Sequence, residues 1–270
     1  MMVERARAAQ PRAHLVPLTV VPRSDEPCVA ASQADTEHVA QLAAVRRVLA
    51  EAALFAELPP SPALAALLGG GQLVGHQRGQ VLAACGEPSA TLHLILTGAV
   101  KVLAPAPAGA PIILALRGPG QLVGELGMHG PSTNTTTAVA LLSTRSLAIP
   151  QPAFQFALRA SPVLLAGVVD LLTARLHEAN ARSARLLALD LGGRLAWWLD
   201  EVAAQFGRPT FGGAIAMQVP TTQRDLAAMV GGSRESMSKL LGGFERGGMI
   251  RRHGHQLELL DQERLRQRAS

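Results

Sequence analysis

The chain has 270 residues, a formal net charge of +5 and two cysteines. That length can bury the cores of about two domains, and the positive balance suits an anionic partner. Cys28 and Cys85 are too few and too scattered for a disulfide framework, a zinc site or an iron–sulfur cluster, so no metal is expected and a reducing cytoplasm is the natural setting. No apolar run reaches the ~18 residues of a membrane span, and Pro11, Arg12, His14 and Pro17 interrupt any signal-peptide core.

Residues 1–37 mix Ala, Arg and Pro with few large apolar side chains, and they read as a disordered N-terminal extension without chemistry. From His38 to Leu54, the residues Val39, Leu42, Val45, Val48 and Leu49 recur at helical steps, and a short helix from Ser61 to Leu68 follows. Between Gly71 and Ile149 the texture changes to short apolar strands punctuated by glycine. They are Gln72 to His76, Val81 to Ala84, Thr91 to Thr97, Ala99 to Leu103, Pro111 to Leu116, Gln121 to Val123, Thr136 to Leu142 and Arg145 to Ile149. Such regular spacing predicts an antiparallel barrel or jelly roll. Within it Gly124-Glu125-Leu126-Gly127 is a turn whose glycines permit close approach of backbone to an anion.

Ser161-Pro162 opens the longest helical pattern. Val163, Leu164, Val168, Leu171, Leu172, Leu176, Ala179, Leu186 and Leu187 form a stripe longer than one barrel needs, so it is expected to pack against a second copy. A second helix begins at Leu189-Asp190-Leu191-Gly192-Gly193-Arg194 and runs through Trp197 and Trp198 to Phe206. Gly207 to Ala214 reads as a loop, Ile215 to Val219 as a strand, and Gln262 to Ser270 as a polar, basic tail.

The stretch from Val219 to Leu260 has the order of a winged helix-turn-helix. A first helix opens at Pro220-Thr221-Thr222, with Thr222 and Asp225 spaced as a capping box. Gly231-Gly232 supplies the tight turn, and Ser233 caps a second helix. That helix carries Met237, Leu240, Leu241 and Phe244 on one side and Arg234, Glu235, Ser236, Ser238 and Lys239 towards the other. Arg can bind guanine with two hydrogen bonds, Glu accepts from cytosine N4, and Ser and Lys serve base edges or phosphates. Met249 to Arg252 and Gln256 to Leu260 flank a turn at His253-Gly254, a hairpin that reads as the wing.

Three of these stretches resemble known families. Leu92 to Val102 and Gly124 to Met128 are similar to the strand hairpin and phosphate-binding cassette of cyclic-nucleotide-binding domains. Ser233 to Leu241, with Phe244 to Ile250, resembles the recognition helix and wing of the Crp/Fnr regulators. The resemblance implies an α+β fold: a β-roll sensor with flanking helices over 38–160, a dimerisation helix over 161–189 and a winged helix-turn-helix over 190–270. It also implies a homodimer on a palindromic double-stranded DNA site, with recognition helices about 34 Å apart and RNA polymerase as a further partner. Thr222, Ser233, Arg234, Glu235, Ser236, Ser238 and Lys239 are its DNA-binding candidates, with Lys239 standing where the family usually has Arg, which shifts that contact towards phosphate.

For an effector, the resemblance points to Gly124, Glu125, Leu126, Thr135, Thr136 and Asn180. Thr135 stands where a cyclic-AMP binder has the arginine that pairs the phosphate, and no Arg or Lys lies between Glu125 and Thr137. A hydroxyl there gives a weaker, neutral hydrogen bond, so Arg117 or Arg145 could substitute only if the fold delivers it. Ala179, beside Asn180, lacks the hydroxyl that would bind adenine. The effector therefore stays open between a cyclic nucleotide or dinucleotide, a haem held by one of eight histidines such as His76, His93 or His129, a metabolite, or none at all. Enzymatic signatures are missing: there is no Gly-x-Ser-x-Gly, no phosphate loop and no His-Glu-x-x-His. A constitutive DNA binder and a ligand-binding module without specific DNA binding are the other open readings.

Overall fold

Short Leu-, Val- and Ile-rich segments closed by Gly or Pro lack the length for helices, and in the computed structural model they pair as antiparallel strands. The structure describes residues 16–17, 45, 47–49, 52, 54–55, 58–106, 110–127, 133–217, 222–253 and 256–270. Most of the N-terminal extension, most of the helix expected from His38, His129, and the opening of the first helix-turn-helix helix at Pro220-Thr221 lie outside the described residues. The chain divides into two units, residues 1–98 with 119–171 and residues 99–118 with 172–270.

In the first unit, β1 (Val16–Pro17), β2 (Gln72–His76), β4 (Thr91–Thr97), β7 (Leu122–Val123) and β9 (Thr144–Pro150) form a sheet in the order β1-β2-β9-β4-β7. β3 (Val81–Ala83) pairs with β8 (Thr137–Ala140). Alternation along β4 and β9 turns Leu92, Leu94, Leu147 and Ile149 into a core closed by α1 (Pro62–Gly70), α2 (Gln151–Ala160) and the start of α3 (Pro162–Ala188). Helix α2 was not anticipated. Its Phe154, Ala157 and Leu158 sit at i, i+3 and i+4 and are buried, a stripe that the preceding prolines mask in the sequence.

Helix α3 divides its apolar residues differently from the single stripe expected. Leu164 and Val168 are buried in the first unit's core. Leu165, Val169, Leu172, Leu176 and Leu186 are exposed, as are Ala179 and Ser183 between them. These seven alternate at steps of four and three, which is the a/d register of a coiled coil. Part of the expected dimer stripe is thus intramolecular, and the outward part is a heptad seam.

The second unit holds the hairpin of β5 (Val100–Ala104) and β6 (Ile112–Arg117) together with α4 (Leu191–Phe206), β10 (Gly207–Pro209), β11 (Ile215–Met217), α5 (Gln223–Val230), α6 (Arg234–Arg246), β12 (Ile250–His253), β13 (Gln256–Leu259) and α7 (Gln262–Arg268). The sheet order is β10-β11-β13-β12. Leu195, Trp198, Leu199, Met217, Leu226, Met237, Phe244 and Ile250 are buried. Two sequence expectations fail here. Part of the loop from Gly207 is a strand, paired through Gly207 with Met217. The C-terminal tail is also a helix: Asp261 caps it, Leu265 is wholly buried and Arg266 bonds Asp200. Its apolar content is one leucine, so tertiary docking rather than periodicity creates it.

Candidate nucleic-acid interface and effector site

Local rules set the helix-turn-helix. Thr222 Oγ1 accepts from Asp225 N at 3.0 Å and donates to the Asp225 carboxylate at 2.6 Å. Gly231 ends α5 at φ 72°, ψ 43°, a left-handed turn that satisfies the Ala227 carbonyl through both Gly231 N and Gly232 N. A Cβ on Gly232 would crowd Leu191 and Met237 at 3.0 Å, so the second glycine is set by packing. Ser233 then caps α6 by accepting from Ser236 N at 3.1 Å.

Met237, Leu241 and Phe244 anchor α6 inward. Arg234, Glu235, Ser238 and Lys239 are exposed on its N-terminal half, and among the described residues none of the four makes an ion pair or a side-chain hydrogen bond. Ser236 differs from them: its hydroxyl lies 2.9 Å from that of Ser233 and belongs to the cap. At the far end of α6, the Glu245 carboxylate accepts from Arg252 N, Nε and a terminal nitrogen at 3.2, 2.9 and 2.5 Å. The Arg252 guanidinium holds the Glu245 carboxyl below its ordinary value, and the pair ties wing to helix.

The second unit contains a further charged contact that the sequence did not suggest. Lys101 on β5 donates to Asp225 Oδ1 at 2.8 Å. Burial pushes the Asp225 carboxyl up, but Lys101 and the Thr222 hydroxyl outweigh it and leave the group below its usual range.

In the first unit, Gly124 adopts φ 89°, and a Cβ there would lie 2.9 Å from the Thr91 carbonyl oxygen, so only glycine fits. Glu125–Gly127 is a turn of 3-10 helix in which Leu126 is exposed. Thr135 and Thr136 lie on the segment entering β8, exposed and half-buried respectively. The Thr135 carbonyl accepts from Cys85 Sγ at 3.4 Å, and Thr137 Oγ1 accepts from Cys85 N at 3.0 Å. Asn180 is exposed on α3 in the second unit.

The two substitute arginines lie one in each unit. Arg145 is exposed on β9, opposite Gly75. Arg117 ends β6 and donates to Glu178 Oε2 on α3 at 2.8 Å.

Two of the candidate haem histidines are committed elsewhere. His76 Nε2 and His93 Nδ1 lie 3.2 and 3.1 Å from Ser146 Oγ, deep between β2, β4 and β9. The Ser146 hydroxyl thus links the two rings, each of which can donate to it or accept from it according to its tautomer. Burial, then the neighbouring His76, pushes His93 down to about 4 against the weaker pull of Leu82. Among the described residues no group of three His, Cys, Asp or Glu could hold a metal, and no single helix is long and apolar enough to cross a membrane.

Comparison with known proteins accords with this architecture. A family described as the cyclic nucleotide-binding domain matches residues 73–161, and one described as the Crp-like helix-turn-helix domain matches residues 193–268. The CRP-like cAMP-activated global transcriptional regulator of Mycobacterium tuberculosis is 34% identical over 222 residues, covering 82% of this chain and 98% of that protein. The cyclic AMP receptor protein of Thermus thermophilus is 28% identical over 166 residues, 62% of this chain and 73% of that protein. Among solved structures, FixK2 from Bradyrhizobium japonicum superposes with a TM-score of 0.66 at 19% identity, covering 74% of this chain and 98% of that one. The c-di-GMP responsive global regulator CLP of Xanthomonas campestris gives a TM-score of 0.63 at 21% identity, with coverage of 73% and 97%. These relatives are regulators, not enzymes. The chain belongs to the CRP/FNR family of DNA-binding transcriptional regulators, with a cyclic nucleotide-binding domain ahead of a Crp-like helix-turn-helix.

Proposed function

We propose that the protein works as a cytoplasmic homodimer that reads a palindromic operator and answers to a small effector other than typically bound cyclic AMP. The observation that carries this reading is the face of α6, where Arg234, Glu235, Ser238 and Lys239 stand exposed near the helix N-terminus with no side-chain partner among the described residues. Side chains in that position reach furthest into a major groove. Arg234 and Glu235 are assigned to base edges, Lys239 and Ser238 to phosphates or bases, and Thr222, Ser233 and Ser236 to holding the two helices at their angle. The seam of α3 supplies the two-fold partner, and RNA polymerase is the expected transcriptional partner.

Relatives named as cAMP-activated and c-di-GMP responsive make a cyclic nucleotide or dinucleotide the leading effector class. Gly124, Glu125, Leu126, Thr135 and Thr136 are assigned to its sugar and phosphate. In the heptad register Asn180 takes an e position, from which it faces a partner helix in a parallel pair. A second reading, a constitutive DNA binder with an empty roll, is favoured by Thr135 alone.

The test is selection of binding sites from random duplexes with the full chain and with Glu235→Ala. The variant should lose about 1–3 kcal/mol on the selected site and relax one symmetric base position. An unchanged preference removes Glu235 from base reading. Affinity for that site should also change when cyclic AMP or cyclic di-GMP is added, since coupling between effector and DNA is reciprocal; equal affinities throughout favour the constitutive reading.

A further inference from the structure

Cationic side chains gather in the second unit where β6 meets α3. Arg117 at the end of β6 and Arg175 on α3 converge on the same oxygen of Glu178, at 2.8 and 3.7 Å. Arg182, one heptad beyond Arg175, donates to the Ile113 carbonyl on β6 at 3.4 Å. The Arg117 and Arg175 side chains are only 11% and 12% exposed, whereas Glu178 is 54% exposed. Guanidiniums are thus sunk behind a carboxylate that faces water.

Arg182 is held below its ordinary proton affinity by burial and then by the charge of Arg117, with Glu178 and more weakly Glu201 opposing. Like charges held together in a poorly solvated place attract an anion. Arginine forks match phosphate oxygens two at a time. The sequence offers no arginine at Thr135, so an effector phosphate lacks its partner in the cassette.

We propose that Arg117, Arg175 and Arg182 form an anion site for a phosphate-bearing effector, and that Glu178 occupies it as a built-in stand-in which the phosphate displaces. The inference rests on the reading of the chain as effector-controlled and adds a phosphate anchor on the β6–α3 face to the residues assigned above. With three guanidiniums it prefers ligands with more than one phosphate.

Isothermal titration calorimetry of the full chain against cyclic di-GMP, pyrophosphate and cyclic AMP tests it. Cyclic di-GMP and pyrophosphate should each bind at least about ten-fold more tightly than cyclic AMP. Binding of both should fall at least about ten-fold in Arg117→Gln and in Arg182→Gln, and should tighten in Glu178→Gln. Arg208→Gln, an exposed arginine on β10 outside the cluster, should leave it unchanged, and melting curves of each variant verify folding. If Arg182→Gln fails to fold, Arg117→Gln and Glu178→Gln carry the test between them.

Cyclic AMP binding that is lost in Thr135→Ala and unmoved in Arg117→Gln overturns the site while leaving an effector-controlled regulator intact. Absence of heat with all three ligands up to millimolar concentration overturns the site as well, and DNA binding, measured separately, is untouched by either result.

Discussion

Lys101 and Asp225 are joined at 2.8 Å, so a strand that the sequence assigns to the sensor barrel is clasped to the first helix of the helix-turn-helix. Asp225 also serves in the cap of that helix through Thr222, which makes the ion pair part of the frame that orients α6. Truncating one partner of a buried pair strands the other charge. Lys101→Met should therefore lower stability by about 2 kcal/mol, while Lys101→Met with Asp225→Asn should recover much of that loss. Chemical denaturation of the two singles and the double closes the cycle; additive losses would mean that the two groups do not interact. The Asp225 carboxyl titrates below its usual range, so the contribution is present at neutral pH and fades as pH falls through its folded value.

The seam of α3 predicts the oligomeric state. Leu172 and Leu176 are 40% and 58% exposed, at consecutive d and a positions. Leu172→Glu with Leu176→Glu should convert a dimer to a monomer in sedimentation at micromolar concentration and abolish tight binding to a two-fold operator. Both side chains are exposed and neither belongs to the first unit's core, so the melting of the individual units should change little. A monomeric wild-type chain, or a dimer unaffected by both charges, contradicts the proposed pairing.

Gly124 gives a backbone prediction. A Cβ there meets the Thr91 carbonyl oxygen at 2.9 Å, and the φ of 89° is unfavourable for any L side chain. Gly124→Ala should cost about 1–3 kcal/mol and displace the turn at Glu125. Thermal melting measures the first effect and calorimetry with cyclic di-GMP the second. A neutral substitution would show that the turn relaxes freely.

Much of this was legible in the residues because short-range rules decide it. Thr222, Gly231-Gly232 and Ser233 set the helix-turn-helix from capping and left-handed turn chemistry alone, and Thr91 to Thr97 alternates as a strand must. What escaped depends on distant partners. Helix α7 exists because Leu265 and Arg266 dock on α4, and the strand at Gly207 because Met217 lies opposite. The i, i+7 spacing of Arg175 and Arg182 was visible beside the leucine stripe, yet only the approach of β6 makes it a cluster with Arg117. Ser236, placed by the sequence on the polar face, also has its hydroxyl 2.9 Å from that of Ser233 in the cap, a contact that spacing alone does not reveal.

The His76–Ser146–His93 chain makes the first unit sensitive to acid. His93 is folded into an apolar setting with its pKa at about 4, and no carboxylate stabilises its charged form; the groups bearing on it are His76 and the Leu82 carbonyl. An unfolded histidine titrates near 6.5, so the unfolded chain binds the extra proton first as pH drops. The stabilisation is complete above about pH 6.5 and is lost progressively down to about pH 4, amounting to about 2 kcal/mol between pH 7.5 and pH 5. His93→Gln removes that titration while keeping a polar group for Ser146. The stability gap between wild type and variant, measured by urea denaturation, should therefore shrink by about that amount from pH 7.5 to pH 5. A gap that stays constant across this range would mean that His93 takes up its proton in the folded protein as readily as in the unfolded chain, and would overturn the buried, neutral imidazole.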